Sequence, residues 1–159
     1  MNRSSSIGFL LIIVCLQACS VFQDGGSDST VDLGEEFQLR VGETAVFIQV
    51  NHLLEEETRI TFQELEEDSR CPIGVNCIWE GQVVLAFDAL TDGDTEHLDY
   101  QGFVSPEGDA YLNQSFGDIY ELQLLRVDPY PVAATNGESA EGEDDKVATL
   151  KIAQVGIVD

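Results

Sequence analysis

Apolar residues in this chain recur with a period of two, in short runs broken by turn signals. Phe37, Leu39 and Val41 alternate with polar residues, and Gly42 and Glu43 then mark a turn. In residues 44–53, Val46, Ile48 and Val50 fall on one face, with Ala45 and Phe47 on the other. The acidic residues 55–57 predict a break, after which Ile60 and Phe62 alternate, with Leu65 close behind. Over residues 79–87, Trp79, Val83, Leu85 and Phe87 share one parity with Gly81 between them, while Ile78, Val84 and Ala86 share the other. A strand apolar on both faces belongs in the interior of a sheet, and Trp79 is expected in the core near the cysteines. Asp92 and Gly93 predict a turn into a strand around residues 97–100. Residues 101–118 read as irregular, with room for a short helix. Residues 119–127 form a strong strand, 128–146 an exposed loop rich in Pro, Gly and acid, and 147–155 a closing strand. No run sustains helical periodicity. About seven short strands with turns between them predict an all-β domain, either a single Ig-like β-sandwich or a partly open barrel.

The beginning of the chain breaks this pattern. Arg3 precedes an apolar run at residues 7–16, too short for a mature span, which needs about 20 residues. The run ends in Leu16-Gln17-Ala18-Cys19-Ser20, which resembles the bacterial lipoprotein cleavage box, with Gln17 where a small residue is usual. The match implies a signal peptide at 1–18, lipidation of Cys19 and anchoring by the attached chains. Ser20 after the cysteine, rather than Asp, implies the outer membrane. Residues 19–34, rich in Gly, Ser and Asp, read as a flexible tether, leaving 35–159 as the all-β domain.

Cys15 leaves with the leader and Cys19 is lipidated, so Cys71 and Cys77 remain. Between them lies Pro-Ile-Gly-Val-Asn, whose residues favour a reversal. A structural disulfide in an oxidising compartment is the expected outcome. A structural metal site would need further ligands, and a redox pair is usually spaced by two residues rather than five. The surrounding Asp68-Ser69-Arg70-Cys71-Pro72 and Cys77-Ile78-Trp79-Glu80-Gly81 resemble a signature of small bacterial secreted proteins and lipoproteins. That group also carries a later strand ending in a Pro-x-Pro-like element, matched here by residues 120–127 and then Asp128-Pro129-Tyr130-Pro131. The resemblance covers residues 36–155. It implies export and a fold. The group is functionally uncharacterised, so no catalytic residue carries over.

Charge narrows the function classes. Against 30 acidic residues stand 7 basic ones, for a net charge of −23, and no Lys or Arg lies between Arg70 and Arg126. Nothing here would neutralise phosphates, so nucleic acid is excluded as a partner. Anionic membrane surfaces would repel the domain, and the membrane is reached only through the lipid anchor. Asp92, Asp94, Glu141, Glu143, Asp144 and Asp145 offer the oxygen ligands calcium prefers, but without the EF-hand spacing. Consecutive acids more often mark a solvated loop, so no cofactor is expected and calcium is the one ion to test. His52 and His97, the only histidines, lack a zinc-binding spacing. Arg70 and Trp79 are the candidate binding residues. For Arg70 the competing expectation is a salt bridge to Glu66, Glu67 or Asp68, or to a loop carboxylate.

No nucleophile elbow, free thiol or phosphate loop is present. The reading is a lipid-anchored envelope protein whose domain is a non-catalytic binding or structural module with an envelope protein as partner. Two alternatives stand beside it. One is a small carboxylate-dependent hydrolase or carbohydrate-active protein. The other is an enzyme inhibitor that uses the Cys71–Cys77 loop as a wedge.

Overall fold

The computed structural model describes residues 28–51, 54–108, 112–117, 119–133 and 145–155. They form nine strands: β1 (Ser29–Val31), β2 (Glu36–Arg40), β3 (Thr44–Asn51), β4 (Leu54–Asp68), β5 (Val83–Thr91), β6 (Asp94–Gly102), β7 (Leu112–Phe116), β8 (Tyr120–Asp128) and β9 (Val147–Gln154). Two open sheets result, ordered β1-β3-β4-β5-β6 and β2-β9-β8-β7. All pairs are antiparallel except β1 with β3. This is the sandwich of the two expected architectures, and no closed barrel forms. Among the described residues no helix is long and apolar enough to cross a membrane.

Alternation explains the core. In β5, Val83, Leu85, Phe87 and Ala89 are buried, whereas Val84 and Ala86 on the other face are half-buried. The strand is interior to its sheet, as its two apolar faces predict. The opposing sheet contributes Leu39, Leu122, Leu124, Leu150 and Ile152 to the same cluster. Each such side chain contributes about 1.5–3 kcal/mol when fully buried. Aromatic rings pack both within a sheet and between the two sheets. Phe62 stacks on Phe87 at 4.6 Å, and Phe47 meets Tyr120 of the other sheet edge to face at 5.1 Å. The Tyr100 hydroxyl donates to the Leu122 carbonyl oxygen at 2.6 Å, so its polar atom is satisfied across the core.

Several expectations need correction. The break at residues 55–57 does not occur, and β4 runs straight through it. Glu55 and Glu57 are exposed, while Thr58 and Ile60 fill the buried positions. The acids therefore occupy an outward face that water solvates, and Arg59 Nε meets Glu57 at 2.9 Å. Part of the expected tether becomes β1, because Val31 reaches the core and the backbone pairs with β3. The stretch read as irregular supplies β7, whose Phe116 is buried. Trp79 is neither in β5, which starts at Val83, nor in the core. The leader, Cys19, His52, Glu141, Glu143 and Asp144 lie outside the described residues.

Candidate functional site

The site lies where β4 leaves its sheet. Register shifts between Phe62 and Glu64 and between Leu65 and Glu67 place two bulges in the second half of β4. A third bulge sits between Leu124 and Arg126 in β8. Bulges raise local twist and re-aim the chain, and here both bulged strands end at the same corner.

Beyond Asp68 the two arms of the β4–β5 connection stay paired. Ser69 N donates to the Gln82 carbonyl oxygen at 2.9 Å, and Cys71 N to that of Glu80 at 2.8 Å. Gly81 sits between them with φ +78°, and a Cβ there would lie 2.0 Å from the Ser69 carbonyl oxygen. Only glycine fits. Cys71 and Cys77 are bonded, with their Cα atoms 5.9 Å apart, as the sequence leads one to expect. Inside this ring Val75 N donates to the Pro72 carbonyl oxygen at 3.2 Å, and Gly74 takes φ +88°. That is a type II turn, for which Gly is the favoured third residue. Ile73 then pairs with the segment after β8: its N–H donates to the Pro131 carbonyl oxygen at 2.9 Å, and its own oxygen accepts from Ala133 N at 3.3 Å.

Arg70 is the base on which the loop stands. Its side chain is buried, and its guanidinium forks onto Asp68, Nε to Oδ1 at 2.7 Å and Nη2 to Oδ2 at 2.7 Å. Nη1 donates to the Val127 carbonyl oxygen at 2.8 Å, and the guanidinium carbon lies 4.5 Å from the centre of the Tyr130 ring. Lys146, also buried, donates to the Pro129 carbonyl oxygen at 2.8 Å and meets Asp68 Oδ2 at 3.1 Å. One carboxylate therefore ties together the end of β4, the segment after β8 and the approach to β9. Burial alone would raise the Asp68 carboxyl, but Arg70 and Lys146 overcome it and hold the carboxyl below its usual range. For Arg70 the salt-bridge expectation holds, with Asp68 as partner. Residues 128–131, which are half-buried, and buried Lys146 correct part of the exposed-loop expectation, because Arg70 and Lys146 recruit the Pro129 carbonyl oxygen and Lys146 joins Asp68, whereas Val132, Ala133 and Asp145 are exposed as expected and 134–144 lie outside the described residues.

What the base presents is apolar. Ile78 is 105% exposed and Trp79 60%, and Ile73, Val75 and neighbouring Val132 are each about half exposed or more. The other exposed large apolar residues, Leu33, Val41, Ile48, Leu90 and Val155, are distributed over separate elements. A cluster on one stapled protrusion is the kind of surface that marks a contact site, whereas scattered apolar residues do not. The pattern of residues 78–87 hid this, because Trp79 keeps the parity of β5 while belonging to the loop. The run of Ile73, Val75, Ile78 and Trp79 beside a short disulfide was the available signal.

Among the described residues the remaining candidates do not come together. Asp92 lies in the β5–β6 turn and Asp94 opens β6, Asp145 is exposed, and among the described residues no group of three potential metal ligands forms. His97 Nδ1 lies 2.5 Å from Asp88 Oδ1 on the outer face of the five-stranded sheet. Near it an open depression of about 280 Å³ is lined by Thr44, Arg59, Thr61, Gln63, Asp88, Leu90 and Thr95. It is polar and shallow, below the usual range of enclosed ligand sites. Arg59 in it is already held by Asp28 at 2.7 Å and Glu57 at 2.9 Å. No known protein family matches the chain, no curated protein matches it, and no solved structure matches it.

Proposed function

We propose that this chain is a lipid-anchored protein of the bacterial outer membrane, tethered through Cys19, whose all-β domain is a non-catalytic binding module. The single observation that carries the binding reading is the apolar cluster of Ile73, Val75, Ile78, Trp79 and Val132 on a loop that a disulfide and a buried ion cluster hold rigid. A pre-ordered loop loses little entropy on docking, so its apolar area is available for affinity. Export and anchoring are supported by the apolar run at 7–16, the Leu16–Cys19 box and the likeness of the 68–81 signature to exported proteins.

The two halves of the proposal separate experimentally. Full-length protein and a Cys19→Ala variant are fed a labelled fatty acid in a bacterial host and fractionated. Label and outer-membrane sedimentation in the first, and their loss in the second, are expected. Equal behaviour overturns the anchor. For binding, a benzophenone side chain is placed at Ile78 and, as a control, at Ser115 on β7. A discrete adduct from position 78 alone is expected. Silence at both positions, or equal labelling, overturns the binding surface.

A further inference from the structure

We infer that the partner docked on this loop is a cationic protein presenting an apolar recess rimmed by lysine or arginine side chains. The inference rests on the binding reading above and adds the chemistry of the occupant.

Shape comes first. The loop leaves its apolar side chains in water: Ile78 is fully exposed, Trp79 largely so, and Ile73 and Val75 of the type II turn about half so. The open depression lies elsewhere, on the outer face of the five-stranded sheet. A side chain as fully exposed as Ile78 buries its area only in a recess of a partner. Tryptophan at the centre of such a contact is among the residues that most often dominate binding energy. The tip also holds its form, because Ile73 is bonded on both its N–H and C=O to residues 131–133, and Arg70 locks the neck beneath.

Charge decides the class of partner. Glu66, Glu67, Glu80 and Glu107 are exposed around the neck, and Glu80 and Glu107 lie close enough to act electrostatically on Tyr130. The two cations nearby, Arg70 and Lys146, are buried and turned onto Asp68, so neither projects positive charge from the tip. Arg40, Arg59 and Arg126 are likewise engaged by carboxylates of this chain. A second copy of this chain, with its own −23, is repelled, and so are anionic lipid headgroups. A basic surface is drawn in, and an apolar recess at its centre receives Ile78 and Trp79 while acids meet bases at the rim, which is the usual anatomy of a specific interface.

The test uses the full-length lipidated protein in its native cells with the benzophenone at Ile78. The adduct is identified by mass spectrometry, and the crosslinked peptide is located on its partner. The expected adduct is one protein whose contact surface carries more Lys and Arg than Asp and Glu around apolar residues. Its yield in isolated envelopes should fall as NaCl is raised from about 0.05 to about 0.5 M, because screening weakens charge steering. Trp79→Ala should lower the yield about tenfold or more. An adduct with phospholipid, with another copy of this chain or with an acidic surface overturns the cationic-partner inference and leaves a docking loop standing. No adduct at position 78 overturns both. Labelling unaffected by salt and by Trp79→Ala also removes this inference, since the contact would then lack both of its proposed components.

Discussion

At one end of β5 the chain turns back through Asp92 and Gly93, with φ 50° and 89°, and at the other it detours through residues 69–82. The first connection is a minimal hairpin. Both positive φ values match the twist of the flanking strands, and its surroundings are polar and exposed. The second carries a disulfide, a buried guanidinium, a glycine with no room for a Cβ, and bonds to a segment some sixty residues away, as Arg70 to Val127 illustrates with a separation of 57. Closing a hairpin requires none of that. Apparatus of this kind, with apolar side chains left in water above it, fits a surface held in shape for a partner.

Substitutions at the two ends should behave unlike one another. Arg70→Ala should cost about 3–5 kcal/mol, because it leaves the Asp68 charge buried with Lys146 as its remaining partner. Asp94→Ala at the hairpin should stay within about 0.5 kcal/mol. Urea unfolding monitored by circular dichroism compares them, and equal losses would erase the distinction. The same ion cluster sets an acid limit. The folded-state pKa of Asp68 is depressed, so its contribution is complete above the unfolded value near 3.9 and is lost as pH falls below that, through the folded value. The stability gap between the protein and Asp68→Asn should therefore be constant at neutral pH and narrow progressively below about pH 4.

Glycines sharpen the contrast next. Gly81→Ala meets positive φ and a carbonyl oxygen at 2.0 Å, and should cost about 3 kcal/mol or more. Gly93→Ala has positive φ with nothing within 4 Å, and should cost only the backbone strain, about 1–2 kcal/mol. Melting curves of both variants would show whether the close approach matters. Reducing Cys71–Cys77, or replacing both cysteines by serine, should cost about 2 kcal/mol, as expected for so short a loop. The smallest effect on stability is the one most informative about binding. Ile78→Ala and Trp79→Ala should shift unfolding by less than about 0.5 kcal/mol. A larger loss would mean that these side chains support the fold and are not offered to a partner.

The class of the fold, the interior place of β5, the Asp92–Gly93 turn and the pairing of Cys71 with Cys77 were all legible from the residues alone. All four depend on local spacing: side-chain alternation, turn chemistry, and the reach of two cysteines across a short reversal. A salt bridge from Arg70 to Glu66, Glu67, Asp68 or a loop carboxylate was legible from the acids near it in the chain, but which carboxylate takes it was not. Tertiary structure alone decided that the pair of Arg70 with Asp68 is buried, that Lys146 completes it, and that Val127 and Pro129 supply its carbonyl partners, because those contacts join residues distant in the chain. It also decided the fate of Trp79. An indole at the right parity is equally consistent with a strand and with a loop, until the Gly81 backbone, pressed against Ser69, fixes where the sheet ends and leaves the ring in solvent.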